Sequence, residues 1–294
     1  MAFHGYSSQE EFERQLNPSR WSKRLDSDAV IKEHMTQTKN ATEKARKEIQ
    51  CELDIQYHES GSTLDIYYPH NETGSYSNSP LFVFFHGGNW QALSKDHGGS
   101  MAVTFTKAGV IVVVVDYTLC PNGTITKIVE EGRSACCFVR RRFPTNRLFL
   151  CGHSCGSHIT ACIMCTDWSS LEMINPQVTG IVFLSGEFDL EVFQYCSDNT
   201  NVKVTEQEVK NFTPIKIMQN LSVKDCKCLF YYAENDPDEY KRQGKELLKA
   251  LTDSSVSCKY EEFPQLDHFD IIDNFQLEDY KLSADILQFV QHIP

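Results

Sequence analysis

The 294-residue chain has no excess of positive charge. Its 28 lysines and arginines are outnumbered by 40 aspartates and glutamates, so the formal net charge at pH 7 is -12. Nucleic acids and anionic membrane surfaces both attract basic proteins, and this composition therefore argues against either partner. We expect a soluble protein that binds a small molecule.

Long apolar stretches are also missing. No run of roughly 18 apolar residues occurs, so no membrane-spanning helix is predicted. The first residues mix Glu10, Glu11 and Glu13 with scattered aromatics and lack the apolar centre of a secretory signal. Cysteine, in contrast, is abundant, with 12 residues that fall largely in predicted strands and helices. We therefore expect a cytoplasmic protein with reduced thiols in its core.

Paired metal ligands at recognisable spacing are absent from the sequence. Cys226 and Cys228 lie close together, but no second pair accompanies them, so we expect no metal site and no cofactor. Repeats and low-complexity tracts are lacking too. The length fits a single α/β domain over residues 1–294, which buries roughly three quarters of its unfolded surface. The oligomeric state stays open, with a homodimer as one alternative.

Strand and helix patterns alternate along most of the chain. An antiparallel hairpin at a sheet edge is predicted first, and several later strands are unbroken apolar runs typical of parallel strands covered on both faces. The predicted strands are 52–58, 63–68, 81–85, 110–115, 148–151, 180–184, 228–232 and 257–262. The predicted helices are 98–108, 125–143, 155–166, 240–251 and 277–291. This alternation predicts a doubly wound α/β sheet flanked by helices.

Two segments depart from the alternation. Residues 1–50 are rich in charged residues and glutamine, and we expect an amino-terminal helical extension that packs on the outside of the domain. Residues 186–226 are long, polar and only patchily helical, near 206–219. This insertion is predicted to form a small lid over the carboxyl ends of the strands.

The pentapeptide from Gly152 to Gly156 spells GxSxG directly after an apolar strand. In that context the pattern is typical of a nucleophile elbow, a turn so tight that only glycine fits two positions either side of the serine. The motif alone is weak, because it occurs by chance in many chains. Ser154 is the candidate nucleophile, provided that a base and an acid lie elsewhere in the chain.

An acid and a histidine follow the last two predicted strands in the order that this arrangement requires. Asp236 follows the seventh strand, and Pro237 stiffens its turn, whereas Asp238 and Glu239 resemble first-turn acids of the next helix. The alternative role of Asp236 is that of a helix cap. His268 follows the eighth strand and is the candidate base.

The other histidines fit the role of base less well. His34, in the amino-terminal extension, is expected to be exposed to solvent. His153 lies beside the serine on the tight turn and is expected to point away from it. His86 fits the loop after the third strand, and His158 lies on the helix after the elbow, where a core hydrogen bond is expected.

The third strand ends in His86-Gly87-Gly88-Asn89-Trp90. Consecutive glycines let backbone N–H groups turn toward a ligand, and HGG at this place matches the oxyanion loop of lipases and esterases. A plain Gly-Gly turn is the alternative. The N–H groups of Gly87, Gly88, Asn89 and Cys155 are the predicted oxyanion donors.

Several segments resemble kynurenine formamidase, also called arylformamidase, of the animal α/β-hydrolase type. The resemblance spans nearly the whole chain. The segments that match the family are the HGGxW loop, the GHSxG elbow, the DHFDII segment starting at Asp267, the PSRW segment starting at Pro18, LDIY at 64–67, RRFP at 141–144, and Ser185-Gly186 with Asp189-Leu190. The chain departs from the family at Asn89, where tyrosine or glycine is usual, and at Cys155, where alanine or glycine is usual.

The resemblance implies an α/β-hydrolase fold and hydrolysis of N-formyl-L-kynurenine to L-kynurenine and formate, a step of tryptophan breakdown. The aromatic side of such a substrate is predicted to stack on Trp90 or on Phe188 and Phe193. Cys155 is expected to pack inertly, with a lowered thiol pKa as the alternative. Two rival functions stay open, a general short-acyl carboxylesterase of the same fold and a non-catalytic binding protein on a hydrolase scaffold.

Overall fold

The computed structural model describes residues 5–71, 76–221 and 226–292. Residues 1–4 of the predicted extension and 222–225 of the predicted insertion lie outside this part of the chain. The strands are β1 (Cys51–Gln56), β2 (Thr63–Tyr67), β3 (Leu81–Phe85), β4 (Ile111–Val115), β5 (Leu148–His153), β6 (Val178–Leu184), β7 (Lys227–Asn235) and β8 (Ser257–Asp267). Each predicted strand is found, with β7 and β8 extending further toward the carboxyl terminus than predicted.

The eight strands form one sheet in the order β1-β2-β4-β3-β5-β6-β7-β8. Strands β1 and β2 pair antiparallel at one edge, and β2 also pairs antiparallel with β4. From β4 to β8 every pair is parallel. The predicted edge hairpin and the mostly parallel sheet are both confirmed, and the carboxyl ends of β3, β5, β7 and β8 meet along one border.

Helices cover both faces of the sheet. They are α1 (Gln9–Gln15), α2 (Ser27–Glu48), α3 (Ala102–Lys107), α4 (Ile125–Arg142), α5 (Cys155–Met164), α6 (Leu190–Phe193), α7 (Asn199–Val202), α8 (Glu206–Phe212), α9 (Asp238–Asp253), α10 (Asp270–Asp273) and α11 (Lys281–His292). Single turns of 3-10 helix lie at Pro18–Trp21, Lys95–His97, Trp168–Ser170 and Asn274–Gln276, and a longer one at Pro214–Asn220. None of the helices in the described ranges is both long and apolar enough to cross a membrane.

The core is divided by the sheet into two apolar layers. In β3, Leu81, Val83 and Phe85 belong to one cluster, and Phe82 and Phe84 to the other. Successive side chains of a strand point to opposite faces, so an unbroken apolar run is what a strand covered on both sides needs. The buried sheet thereby holds the strand ends, and the loops that leave them, in fixed positions.

The amino-terminal extension does more than pack on the outside. Helix α2 presents one buried stripe, which includes Val30, His34, Thr38 and Ala45, to the body of the domain. His34 is 4% exposed, so the expectation that it faces solvent is wrong. The stripe follows the three- and four-residue spacing of an amphipathic helix, and it places the histidine on the packed face.

Candidate active site

The turn between β5 and α5 has the backbone of a nucleophile elbow. Ser154 adopts φ 54° and ψ -125°, a region that costs a non-glycine residue on the order of 1–3 kcal/mol. A Cβ on Gly152 would lie 2.2 Å from the Gly156 carbonyl oxygen, and one on Gly156 would lie 2.1 Å from that of Phe85. Both glycines of the motif are therefore required by close backbone contacts.

Asp236 and His268 form a buried pair. The Nδ1 atom of His268 lies 2.7 Å from Oδ1 of Asp236, and the two residues are 3% and 0% exposed. The other carboxylate oxygen accepts hydrogen bonds from the Ala233 N–H at 2.7 Å and from the Ser185 hydroxyl. Because a carboxylate only accepts, Nδ1 of His268 carries the proton, and Nε2 is left as the basic nitrogen.

The neighbouring acids are engaged elsewhere. Asp238 and Glu239 lie in the first turn of α9, as predicted, and Glu239 forms an ion pair with Arg242. Asp236 is thus the acid that the fold brings to His268. Ser154 and His268 line one cavity. In the described structure the Ser154 hydroxyl makes no direct hydrogen bond to His268, and such bonds commonly tighten only when substrate binds.

The glycine loop after β3 lies against the serine. A Cβ on Gly87 would be 3.1 Å from Cβ of Ser154, and one on Gly88, at φ 106°, would be 2.2 Å from the Ala92 carbonyl oxygen. Asn89 and Trp90 also have positive φ values, 55° and 56°. The loop is therefore a tight turn that carries backbone N–H groups beside the nucleophile. Their role as oxyanion donors stays a prediction.

Cys155 is enclosed by this loop. The N–H of Trp90 donates to its sulfur at 3.2 Å, and the Tyr117 hydroxyl lies 3.8 Å from the sulfur. Burial raises the pKa of the Cys155 thiol, and hydrogen bonds to the sulfur from the Trp90 N–H, the Tyr117 hydroxyl and the Asn89 N–H offset this only in part. The alternative of a lowered thiol pKa is therefore wrong, and Cys155 is a packed, neutral thiol.

Trp90 and Phe188 lie in the core. They are 1% and 3% exposed, and neither belongs to the wall of the cavity that contains Ser154. Trp90 packs edge-on against His158 and Phe193 at ring distances of 5.4 and 5.1 Å, and Phe188 packs on Phe183 at 5.4 Å. The substrate-stacking role predicted for these aromatics is corrected to a packing role, because the elements around them leave no open ring face.

The cavity beside Ser154 has a volume of about 330 Å³. The amino-terminal segment supplies much of its wall, although the sequence placed that segment on the outside. The predicted insertion contributes Asp198. The lining residues are Leu16, Asn17, Pro18, Ser19, Ile31, His34, Met35, Gly88, Asn89, Ala92, Leu93, His153, Ser154, Asp198, Tyr240, His268 and Phe269.

His153 is a site residue that sequence reasoning missed. Its ring lies 4.7 Å from the His268 ring and its Nε2–H donates to the His268 carbonyl at 2.9 Å. His153 lines the same cavity as Ser154, so the expectation that it points away from the serine is wrong. Burial lowers the pKa of His153 well below its ordinary value, so the ring is neutral. A neutral donor of this kind fixes the backbone of the catalytic histidine candidate.

Asp267 anchors the loop that carries His268. Its carboxylate accepts hydrogen bonds from the Ser22 hydroxyl at 2.6 Å and from Arg24 Nε at 3.0 Å. It also accepts from the Phe269 and Asp270 N–H groups, both at 2.9 Å. The DHFDII segment and the amino-terminal segment are thereby joined directly beside the cavity.

Comparison with known proteins agrees with this architecture. A family described by its alpha/beta hydrolase fold matches residues 82–225. Kynurenine formamidases from Danio rerio and Salmo salar are 34% and 36% identical to the chain, and each alignment covers 96% of this chain and 97% of the relative. The chain belongs to the kynurenine formamidase family. Its predicted α/β-hydrolase fold is confirmed, and as a member of this family the chain is a hydrolase.

A solved structure extends the likeness of the fold. The Pyrobaculum calidifontis esterase superposes with a TM-score of 0.69 over 91% of this chain and 93% of that one, at 17% identity. At this level of identity the likeness concerns the fold alone.

In the described ranges no group of three or more histidine, cysteine, aspartate or glutamate side chains has the arrangement of a metal site.

Proposed function

We propose that this chain hydrolyses N-formyl-L-kynurenine to L-kynurenine and formate, a step of tryptophan breakdown, through a Ser154–His268–Asp236 triad. The observation that carries the proposal is the buried 2.7 Å pair of Asp236 and His268 on the cavity that holds the strained Ser154. The nearly full-length similarity to kynurenine formamidases supports the choice of substrate.

The reaction begins with the formation of a tetrahedral intermediate on Ser154. Ser154 Oγ attacks the formyl carbon while Nε2 of His268 takes its proton, and Asp236 stabilises the resulting imidazolium. The carbonyl oxygen becomes an oxyanion beside the N–H groups of Gly87, Gly88 and Cys155. Loss of one such donor costs on the order of 3 kcal/mol of transition-state stabilisation.

This intermediate then breaks down to release kynurenine and leave a formyl-serine, which water hydrolyses to formate. His268 gives its proton to the departing aryl amine as the carbon–nitrogen bond breaks, which an amide requires more than an ester does. Water then attacks the formyl-serine while His268 accepts its proton, and His268 passes that proton to Ser154 Oγ as the ester bond breaks and formate leaves. Formyl is the smallest acyl group, which suits the close approach of the glycine loop to Ser154, where a Cβ on Gly87 would lie 3.1 Å from the Ser154 Cβ.

The second candidate function is that of a general short-acyl carboxylesterase, which the fold likeness to an esterase leaves open. A catalytically silent binding protein is disfavoured, because the strained serine and the buried acid–histidine pair would have no purpose in it. N-formylkynurenine and a p-nitrophenyl ester, assayed side by side, separate the candidates. Ester hydrolysis without formamide hydrolysis would favour the carboxylesterase.

Matched variants test the triad in the same assay. Ser154→Ala and His268→Ala are each expected to abolish formamide hydrolysis while the protein stays folded, as checked by thermal unfolding. His292→Gln, an exposed position at the end of α11, serves as the control and is expected to keep wild-type turnover. Turnover near the wild-type rate in either triad variant contradicts the mechanism.

We also place this reaction in the cytoplasm. All 12 cysteines are free thiols, and all but Cys51 and Cys258 are buried, as suits a reducing compartment. Assembly as a homodimer stays a prediction, which the molar mass in solution tests.

A further inference from the structure

A second buried histidine–carboxylate pair lies on the wall of the same cavity. His34, from α2, places Nδ1 2.6 Å from Oδ1 of Asp273, from α10, and the two residues are 4% and 2% exposed. These residues are 239 positions apart in sequence, and neither takes part in the mechanism above. The pair is therefore a built feature of the fold that needs its own explanation.

The pair leaves one ring nitrogen of His34 available to a ligand. Nδ1 is held by Asp273, and among the described residues Nε2 of His34 makes no hydrogen bond. His34 lines the cavity, so Nε2 is the ring atom that can meet a bound molecule. The His34 ring lies 6.2 Å from that of His153, which in turn lies 4.7 Å from that of His268. His34 is thus connected to His268 through the ring of His153 and is available to a part of the substrate other than the reacting formamide.

A carboxylate group also lines this cavity. Asp198, from the insertion, lines it and accepts a hydrogen bond from Nδ2 of Asn89 at 2.6 Å. This bond uses one carboxylate oxygen, Oδ2, and leaves Oδ1 for a cation. The cavity therefore combines a nucleophile, an imidazole and a separate carboxylate.

We propose that His34 binds the carboxylate, and Asp198 the ammonium group, of an α-amino acid carried by the substrate. The inference rests on the proposed function, since N-formylkynurenine has both charged groups at the end remote from its formamide. In the proposed contact both ring nitrogens of His34 act as donors, Nδ1 to Asp273 and Nε2 to the substrate carboxylate. The resulting charge-assisted hydrogen bond is of the strong kind.

The remaining wall suits the rest of such a substrate. Ile31, Met35 and Phe269 supply apolar surface to the wall of the same cavity. The ends of the strands thus carry the proposed catalytic residues, whereas the amino-terminal segment and the insertion carry the residues proposed to bind the charged groups of the substrate. Asp273 acts as a positioning residue for His34, in the way that Asp236 positions His268.

Three substrates test the proposal on the unaltered enzyme. N-formylkynurenine carries both charges, its deamino analogue keeps only the carboxylate, and ortho-formamidoacetophenone lacks both. We expect kcat/KM to fall in that order, mainly through KM. If no formamide is hydrolysed, the proposed function fails. If all three are hydrolysed with equal kcat/KM, the function stands and this inference is overturned.

Variants assign each charge to its residue. His34→Gln is expected to lower the ratio of kcat/KM for the deamino analogue to that for ortho-formamidoacetophenone by about 10- to 100-fold. Asp273→Asn is expected to lower this ratio in the same direction. Asp198→Asn is expected to lower the ratio for N-formylkynurenine to its deamino analogue by about 2- to 5-fold, because Asp198 is more exposed.

The control and the contrary outcomes are equally direct. His292→Gln makes the same change at an exposed histidine and is expected to alter neither ratio. A His34→Gln variant that loses kcat equally on all substrates would show a structural or catalytic role and overturn the proposal. If that variant does not fold, Asp198→Asn and the three wild-type substrates decide the matter, and unchanged ratios there reject it.

Discussion

Replacement of Asp236 by asparagine tests how the fold sets the proton on His268. One carboxylate oxygen of Asp236 accepts from His268, and the other accepts from the Ala233 N–H and the Ser185 hydroxyl. Asparagine has a single side-chain oxygen, and the two donors will keep it on their side. Its NH2 group then faces Nδ1 of His268, the proton moves to Nε2, and His268 can no longer accept the proton of Ser154.

The expected loss in kcat for Asp236→Asn is about 1,000- to 10,000-fold, or about 4 to 5.5 kcal/mol of transition-state stabilisation. The assay is steady-state hydrolysis of N-formylkynurenine, with thermal unfolding as the check of folding. Asp238→Asn is the matched control, because Asp238 is the next acid along the chain and its side chain is 70% exposed. A loss below tenfold for Asp236→Asn would refute the reasoning.

Two further predictions concern stability. Burial raises the pKa of the Asp267 carboxyl, but hydrogen bonds from Arg24 and Ser22 outweigh this effect and hold the pKa below its ordinary 3.8. The carboxylate therefore stabilises the folded state fully above pH 3.8, and this contribution is lost as the pH falls further. Arg24→Ala should move the fluorescence midpoint of acid unfolding to higher pH, and an unchanged midpoint contradicts this. Burial raises the pKa of Glu187 to about 8, so folded wild-type protein loses stability as pH rises from 4.5 to 8. Glu187→Gln should remove this pH dependence, which is up to about 1.4 kcal/mol per pH unit in the free energy of unfolding measured with urea. A difference in that free energy between the variant and wild type that stays constant with pH would contradict the prediction.

The parts of the fold that the sequence predicts are those with local signals. The apolar run of β3, the alternation of β1 and β2 and the glycines around Ser154 each act within a few residues, and the structure has the corresponding elements at those places. The positions of Asp236 and His268 follow from the order of the strands, because parallel strands bring their carboxyl ends to one border.

The wall of the cavity follows from contacts that no local pattern records. His34 meets Asp273 across 239 residues, and Arg24 meets Asp267 across 243. The polar composition of residues 1–50 suggested an outer layer, whereas the buried stripe of α2 was the available signal for a packed face. The sequence suggests that Trp90 and Phe188 contact the substrate, but the direction of a side chain in a loop depends on the backbone conformation. In the loop after β3 the backbone has positive φ values at Asn89 and Trp90.

Covalent labelling tests most directly whether Ser154 is the nucleophile for formamide hydrolysis. The enzyme is treated with limiting amounts of a serine-directed organophosphate, the modified peptide is identified by mass spectrometry, and N-formylkynurenine turnover is measured on the same samples. We predict a single adduct on Ser154 and a loss of turnover in proportion to the labelled fraction. Complete labelling of Ser154 with turnover intact would contradict the account.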